Sequence, residues 1–287
     1  MSHKGENGFP KLIATDLDGT LLTSEKHVSD RCARALMNAW KEYGTEIVPT
    51  TGRMHSAIPA DVLGMECVRY LICENGARIY DMHKGVFTYC LPVGKDTVRR
   101  LFSYLEDLPV IFDCYMDDRP YMPADQFGKV EGFLGYNPRF IQRIFETWIA
   151  VEDWKGFLED MDGDVTKIQF YIDPEAMERA GELKREVAER FPEIGMSSTW
   201  PLHVEVGNRE ADKSGALKIL TDRLGIPLRD VTAFGDGDND VAFIRTAGRG
   251  VAMKNSLPQV RKEADDVTDF TNDEDGVGEY IERLLRE

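Results

Sequence analysis

The chain has 287 residues, of which 42% are hydrophobic, enough for about two domains with apolar cores. Its 51 acidic and 35 basic side chains give a net charge of −16, which argues against nucleic-acid binding because that function requires a basic face. No apolar run reaches membrane-spanning length and the five cysteines form no Cys-x-x-Cys pair, so we expect reduced thiols in a cytoplasmic protein without a membrane partner.

The N-terminal half begins with a polar segment, Met1 to Pro10, that is expected to be a flexible arm. Residues 11 to about 83 then alternate between short apolar stretches and amphipathic ones, which predicts a parallel sheet with helices on both faces. The predicted elements are a strand at 12–14, a helix from Ser29 to Gly44, a strand near Ile47, a helix from near Met54 to about Gly64, a strand at 70–73 and a hairpin of 77–80 with 86–89.

The segment from Pro92 to about Val206 also alternates between helices and strands, but it carries no chemical motif. Its predicted elements are a helix through Thr97, Leu101 and Leu105, strands at 110–115, 168–172 and 203–206, and a helix from Pro174 to Arg190. The stretch 121–137 is rich in Gly, Pro and aromatic residues and is predicted to be irregular. Four of its side chains could contact a substrate, although packing is their commoner role: Tyr121, Phe127, Phe133 and Tyr136. After about Asn208 we predict an apolar strand at 231–234 and a closing helix that follows Asp275.

Two carboxylates, Asp16 and Asp18, follow the first predicted strand directly. In an open parallel sheet the ligand site lies beyond the carboxyl ends of the strands, which makes this a position for chemistry. Two aspartates alone would fit a solvated acidic turn equally well, but the full string Asp-x-Asp-Gly-Thr after an apolar strand favours chemistry. Mg²⁺ prefers oxygen ligands and would remove the repulsion between the two groups. Asp16 could attack a phosphorus atom, while Asp18 could protonate the leaving oxygen and later deprotonate a water molecule. Thr20 offers a hydroxyl to a phosphate oxygen.

Three further stretches carry polar groups that suit a phosphate ester. Thr51 precedes a predicted helix and could bind a phosphate oxygen or merely cap that helix. Arg53 could reach a substrate or pair with a carboxylate, and the sequence favours neither. Lys213 could neutralise charge on a transferring phosphoryl group. In the acidic run after the strand at 231–234, Asp236 fits a Mg²⁺ ligand and Asp238 a solvated turn.

Taken in order, these stretches resemble the four motifs of the haloacid dehalogenase (HAD) superfamily, in particular Cof-type phosphatases with a large α/β cap of subclass IIB. The matching residues are Asp16-Leu17-Asp18-Gly19-Thr20, Thr51-Gly52-Arg53, Lys213 and Gly235-Asp236-Gly237-Asp238-Asn239-Asp240. The resemblance implies an α/β fold with a Rossmann-like parallel-sheet core, made of residues 11–83 and 208–287. It also implies an inserted α/β cap domain at 84–207 that sets substrate specificity.

The resemblance also implies roles for individual residues. Asp16, Asp18 and Lys213 would be catalytic, and Asp16, the backbone carbonyl of Asp18 and Asp236 would hold Mg²⁺, with Asp240 in the outer shell. The phosphate or substrate would be bound by Thr20, Thr51, Gly52, Arg53, Asn75, Asn239 and Asn255. Asn75 has an equally good alternative, because Asn75-Gly76 is a strong turn signal by itself.

Two positions depart from the family pattern. Asp212 precedes the lysine where the family often has Ser or Thr, and it could compete for Lys213. Lys254 adds a charge before Asn255, at a position that is usually small.

The function implied by the resemblance is a Mg²⁺-dependent phosphomonoester hydrolase that acts on a small phosphorylated metabolite through an aspartyl-phosphate. Sugar phosphates are the first expectation, and a monomer is expected although a dimer is possible. A sugar phosphomutase of the same superfamily is one alternative, and a non-catalytic protein that binds phosphorylated metabolites is another. Asp18 weighs against the binding protein, which has no use for a second carboxylate. His83 and His203 are assigned structural roles.

Overall fold

The computed structural model describes residues 9–135, 138–198 and 201–286, and its chain divides into two units. The first unit contains the chain up to Cys90 and again from Asp212 onward, and the second unit is Leu91–Ala211. The expected arm at 1–10 lies outside the described residues except for Phe9 and Pro10, as does Tyr136. No helix within the described ranges is long and apolar enough to cross a membrane.

The first unit is built from short strands and helices. Its N-terminal part contains β1 (Leu12–Thr15), α1 (Asp30–Tyr43), β2 (Glu46–Pro49), α2 (Ala60–Leu63), β3 (Tyr70–Cys73), β4 (Arg78–Asp81) and β5 (Val86–Cys90). The second unit contains α3 (Lys95–Leu105), β6 (Val110–Met116), β7 (Arg119–Pro123), α4 (Ala124–Phe127), α5 (Val130–Leu134), α6 (Pro138–Thr147), β8 (Ile149–Val151), α7 (Trp154–Glu159), β9 (Val165–Ile172), α8 (Ala180–Arg190), β10 (Ile194–Ser197) and β11 (His203–Asn208). The first unit resumes with α9 (Lys213–Leu224), β12 (Val231–Gly235), α10 (Val241–Thr246), β13 (Arg249–Ala252), α11 (Pro258–Glu263), β14 (Asp266–Val267) and α12 (Gly276–Leu284).

A parallel five-stranded sheet, in the order β14-β13-β12-β1-β2, forms the centre of the first unit. Strand β1 is buried on both faces because alternate residues pack in opposite directions. Ile13 joins the cluster made with α1 and α12, whereas Leu12 and Ala14 join the cluster made with α9 and α10. The predicted parallel sheet with helices on both faces is therefore confirmed, as is the antiparallel hairpin of β4 and β5.

The second unit contains a six-stranded sheet in the order β10-β11-β9-β6-β7-β8. All its strand pairs are antiparallel except β7 with β8. One face packs alternate residues such as Phe112 and Phe170 against α3, α7 and α8. The intervening residues on the other face include polar side chains that are buried, among them Asp113, Gln169 and His203.

Three predicted elements were wrong in detail. The helix expected from 54 to 64 is a 3-10 turn at His55–Ala57 followed by the four-residue α2, because Pro59 holds Ile58 in extended backbone. The stretch 121–137 was expected to be irregular, but residues 121–135 contribute most of β7 and the helices α4 and α5, while 136 and 137 lie outside the described residues. The helix expected from Pro174 begins as a 3-10 segment to Arg179 and becomes α-helical only in α8.

Candidate active site

The carboxyl ends of β1 and β12 lie side by side, because Thr15 pairs with Phe234 in the parallel register. Asp16 continues beyond β1, where its N–H donates to the carbonyl of Phe234 at 2.9 Å. Asp236 follows the last residue of β12. Two carboxylates that are 220 positions apart in the sequence therefore meet at one edge of the sheet, where α/β proteins place their ligands.

Helix α9 brings Lys213 to these carboxylates. Its Nζ donates to Asp16 Oδ1 at 2.5 Å and to Asp240 Oδ1 at 2.7 Å, and the lysine side chain is completely buried. Oxygens of Asp16, Asp236 and Asp240 all lie within 4.8 Å of one another. Asp240 is held in turn by the N–H groups of Asp236 and Gly237, which both donate to its Oδ2 at 3.0 Å. The acidic cluster is therefore fixed by protein contacts on several sides.

The charges of this cluster do not balance, since three carboxylates share one ammonium group. Burial raises the pKa of Asp16 well above its ordinary value, although Lys213 opposes that rise. Burial also raises the pKa of Asp236 to about 6, and the charge of Asp240 adds to the effect. Burial disfavours charged Lys213, but Asp16 and Asp240 outweigh it and raise the lysine pKa. Hard divalent cations such as Mg²⁺ prefer oxygen ligands, so this cluster of carboxylates with excess negative charge would suit such an ion.

Gly19 and Thr20 shape the Asp236 side of the cluster. Gly19 has a φ of +81°, and a Cβ at this position would overlap the carboxylate of Asp236, so the close approach requires glycine. Thr20, expected to face a phosphate oxygen, donates its hydroxyl to Asp236 Oδ1 at 2.7 Å. In this structure the threonine therefore orients a carboxylate.

Asp18 points to a different set of partners. Arg53 donates Nε to Asp18 Oδ2 at 2.6 Å and a terminal nitrogen to Oδ1 at 2.7 Å. Lys26 donates to the same Oδ1 at 2.8 Å. Burial alone would raise the pKa of Asp18, but the hydrogen bonds and charges of Arg53 and Lys26 lower it to about 2. The sequence left two roles open for Arg53, and in the structure this residue forms an ion pair with the carboxylate of Asp18.

The remaining candidate residues form a chain of contacts beside the cluster. Thr51 Oγ1 accepts the N–H of Arg53 at 3.1 Å, and Asn75 N–H donates to the carbonyl of Thr51 at 3.0 Å. A Cβ on Gly52 would lie 2.8 Å from Asn75 Oδ1, and that oxygen accepts Asn239 Nδ2 at 2.9 Å. Asn75 has a φ of +54°, so it combines a turn conformation with a place among the candidate site residues.

Asn255 connects the first motif to the C-terminal segment. Its Nδ2 donates to the carbonyl of Gly19 at 2.7 Å, and its Oδ1 accepts the N–H of Asn272 at 3.1 Å. Asp212 does not take Lys213, because its carboxylate accepts the N–H groups of Ser214 and Gly215 as the cap of α9.

Two residues of this region were missed by the sequence reasoning. Asn272 also donates Nδ2 to the carbonyl of Leu22 at 3.0 Å, and Lys26 contacts Asp18. Lys26 lies in a polar turn without periodicity or a motif, so no signal in the sequence marked it. Neither contact could be inferred without the tertiary structure.

Comparison with known proteins identifies the family of the chain. The family of haloacid dehalogenase-like hydrolases matches residues 13–281. The chain belongs to this family. Phosphatase YwpJ of Bacillus subtilis is 32% identical over 294 residues, covering 96% of this chain and 100% of the relative. The resemblance to Cof-type HAD phosphatases is therefore confirmed, and the protein is a HAD-type phosphatase.

Two further matches extend over almost the whole chain. The 5-amino-6-(5-phospho-D-ribitylamino)uracil phosphatase YcsE of Bacillus subtilis is 28% identical and covers 98% of this chain and 98% of its own length. The crystal structure of TM0651 from Thermotoga maritima superposes with a TM-score of 0.81 at 25% identity, covering 96% of this chain and 97% of that one. The HAD fold with an inserted α/β unit is therefore shared by this protein.

Proposed function

We propose that this phosphatase is a Mg²⁺-dependent phosphomonoester hydrolase that transfers the phosphoryl group to Asp16 before water removes it. The observation that carries the proposal is the buried Lys213, which joins Asp16 to Asp240 beside Asp236. An excess of carboxylate over ammonium suits a cation, and a lysine at the nucleophile suits an anionic reacting group.

Asp16, Asp236 and the backbone carbonyl of Asp18 would hold Mg²⁺, with Asp240 in the outer shell. When bound, the ion would neutralise the charge that separates a carboxylate nucleophile from an anionic phosphoryl group. Thr20 supports this arrangement because its hydroxyl fixes one oxygen of the Asp236 carboxylate.

The proposed hydrolysis has two steps, and residues of the chain act in both. In the first, a carboxylate oxygen of Asp16 forms a bond to phosphorus as the ester oxygen leaves with a proton from Asp18. In the second, Asp18 takes a proton from water, the water oxygen forms a bond to phosphorus, and the bond to Asp16 breaks. Lys213 stabilises the charge on the phosphoryl oxygens throughout. Arg53 and Lys26 lower the pKa of Asp18 to about 2 and so favour its ionised form, which the second step needs. The first step needs the protonated form, so we propose that Asp18 separates from these two cations when it acts as the acid.

We further propose a small phosphorylated metabolite as the substrate, with sugar phosphates first, and a cytoplasmic monomer as the working form. The name of one relative, a phosphoribitylamino-uracil phosphatase, supports the class of substrate. Phosphate or substrate contacts are assigned to Thr51, Gly52, Asn75, Asn239 and Asn255. The second unit is proposed to be the cap domain that selects among substrates.

The test is phosphate release from a panel of sugar phosphates, nucleotides, phosphorylated cofactors and a generic aryl phosphate, with Mg²⁺ and with excess chelator. We expect release from at least one member that requires Mg²⁺ and stops with chelator. Release that persists in chelator would overturn the metal assignment. If no member releases phosphate, addition of a sugar bisphosphate would distinguish a phosphomutase from a binding protein, and either result would overturn the hydrolase.

A further inference from the structure

The turn Glu74–Gly76, which joins β3 to β4, has left-handed backbone at three consecutive residues. Their φ angles are +54°, +54° and +97°. Glutamate and asparagine adopt this conformation only at a cost in free energy, so their surroundings have to stabilise it. Backbone strain of this kind is concentrated at functional sites, which makes the contacts of this turn worth following.

Gly76 lies against the backbone from which Lys213 extends. A Cβ at this glycine would overlap the carbonyl group of Asp212 and would lie 2.9 Å from the backbone nitrogen of Lys213. Because the overlapping atoms belong to the backbone, no rotation of a side chain could relieve the overlap. Gly76 and Lys213 are both buried, so the first turn of α9 packs directly on the turn Glu74–Gly76.

The turn itself is fixed by hydrogen bonds on its other side. The N–H of Glu74 donates to the carbonyl of Arg53 at 2.9 Å, and the N–H of Asn75 donates to the carbonyl of Thr51 at 3.0 Å. The side chain of Asn75 is also held, because its Oδ1 accepts Asn239 Nδ2 at 2.9 Å. We therefore expect a side chain added at position 76 to displace the start of α9.

We propose that Gly76 is a positioning residue for Lys213, because the absence of a side chain lets α9 begin where the lysine reaches both Asp16 and Asp240. The inference rests on the proposed role of Lys213 at the phosphoryl group. The lysine Nζ lies 2.5 Å from Asp16 Oδ1 and 2.7 Å from Asp240 Oδ1, and its side chain is completely buried. A shift of the backbone would therefore move the ammonium group, and a misplacement of about 1 Å can lower a rate about 10²-fold.

Gly76→Ala tests the contact, and Gly225→Ala is the matched control at the other end of α9. Gly225 follows the last residue of the helix with a φ of +66°, and a Cβ there would meet nothing within 4 Å. The control therefore places alanine in left-handed backbone without the overlap. We expect Gly76→Ala to lower kcat about 10²-fold and Gly225→Ala to lower it less than about threefold.

A double-mutant cycle shows whether Gly76 acts through the lysine. Lys213→Met removes the ammonium group, so a displaced start of α9 then has little left to disturb. In the Lys213→Met background we expect Gly76→Ala to lower the residual kcat by less than about threefold. The same cycle is measured by calorimetry on the binding of orthovanadate, an analogue of the transferring phosphoryl group, which requires no turnover. Thermal unfolding shows which variants are folded.

The outcomes separate this inference from the function on which it rests. If Gly76→Ala matches Gly225→Ala, or if its loss multiplies with that of Lys213→Met, then Gly76 does not act through Lys213. An unfolded Gly76→Ala beside a folded Gly225→Ala would show that the contact serves folding, and it would overturn the inference as well. A wild-type protein that hydrolyses no phosphate ester, or a Lys213→Met variant with wild-type kcat, would instead overturn the proposed function.

Discussion

Asp113 lies at the centre of a buried polar network in the second unit. Its Oδ2 accepts the hydroxyl of Tyr171 at 3.2 Å, and that hydroxyl lies 2.7 Å from Gln169 Oε1. Burial raises the pKa of Asp113 to about 7, and this shift is reduced by Trp148, Tyr171 and Lys167 and increased by Glu205. Because Asp113 is completely buried, its neutral form is favoured over its charged form up to about pH 7.

The raised pKa predicts that Asp113 destabilises the fold as pH rises. The unfolded carboxyl has a pKa of about 4, so between pH 4 and 7 the folded state holds a proton that the unfolded state has lost. The resulting loss of folding free energy is absent below about pH 4, grows up to about pH 7 and then stays constant, with an upper limit of about 4 kcal/mol.

Asp113→Asn should remove this penalty while keeping an acceptor for Tyr171. We expect its Tm to exceed that of the wild type by an amount that increases between pH 4 and pH 7, measured by thermal unfolding. The exposed Asp162, changed to Asn, serves as the control and should show no such trend. If the difference in Tm between Asp113→Asn and the wild type did not change with pH, the raised pKa of Asp113 would be contradicted.

At the scale of the element, the start of α9 determines where Lys213 lies. Asp212 has extended backbone, and its Oδ1 accepts the N–H of Ser214 at 2.7 Å and that of Gly215 at 2.9 Å. This cap satisfies two donors that the first turn of the helix would otherwise leave unpaired. The following residue is Lys213, so the cap fixes the backbone from which the buried lysine extends.

Asp212→Ala should therefore lower both stability and activity. We expect the free energy of unfolding in urea to fall by about 1 kcal/mol, and kcat to fall because the first turn no longer holds Lys213. Asp212→Asn retains a capping oxygen and should keep most of both. Equal stability of the alanine and asparagine variants would show that the cap does not fix this turn.

The sequence predicted elements well where a local pattern determines the structure. Ser29 and Gly44 bound α1 as expected, because the serine accepts Cys32 N–H and the glycine has a φ of +66°. The described part of the segment 121–137 was predicted poorly, because its Gly, Pro and aromatic residues suggest an irregular stretch. Strand β7 tolerates Pro120 at its second residue and Pro123 at its last, before α4 begins.

The site, like the fold, was predictable where a local motif places a residue and not where tertiary contacts decide. Asp16 and Asp236 directly follow apolar strands and Lys213 begins a helix, so their position at one edge of the sheet followed from the motifs. The partner of Thr20 and the contact of Lys26 with Asp18 depend on tertiary structure, and no local pattern encodes them.

At the scale of the whole molecule, a chain of net charge −16 has to bind an anionic ester. Charges farther away than the Debye length of about 8 Å are largely screened at physiological ionic strength, so the groups next to the phosphate decide its binding. The buried Lys213 and the cation that the acidic cluster suits are such local charges. The overall acidity therefore bears on solubility more than on catalysis.

The proposed role of Asp16 as the nucleophile is tested most directly by the kcat of Asp16→Asn, measured with Mg²⁺ and the best substrate of the panel. The amide has nearly the same shape as the carboxylate, so thermal unfolding should show a folded protein. We expect a loss of at least about 10³-fold, equal to about 4 kcal/mol of transition-state stabilisation. A folded variant whose kcat falls by less than about 10³-fold would contradict the role of Asp16 as the nucleophile.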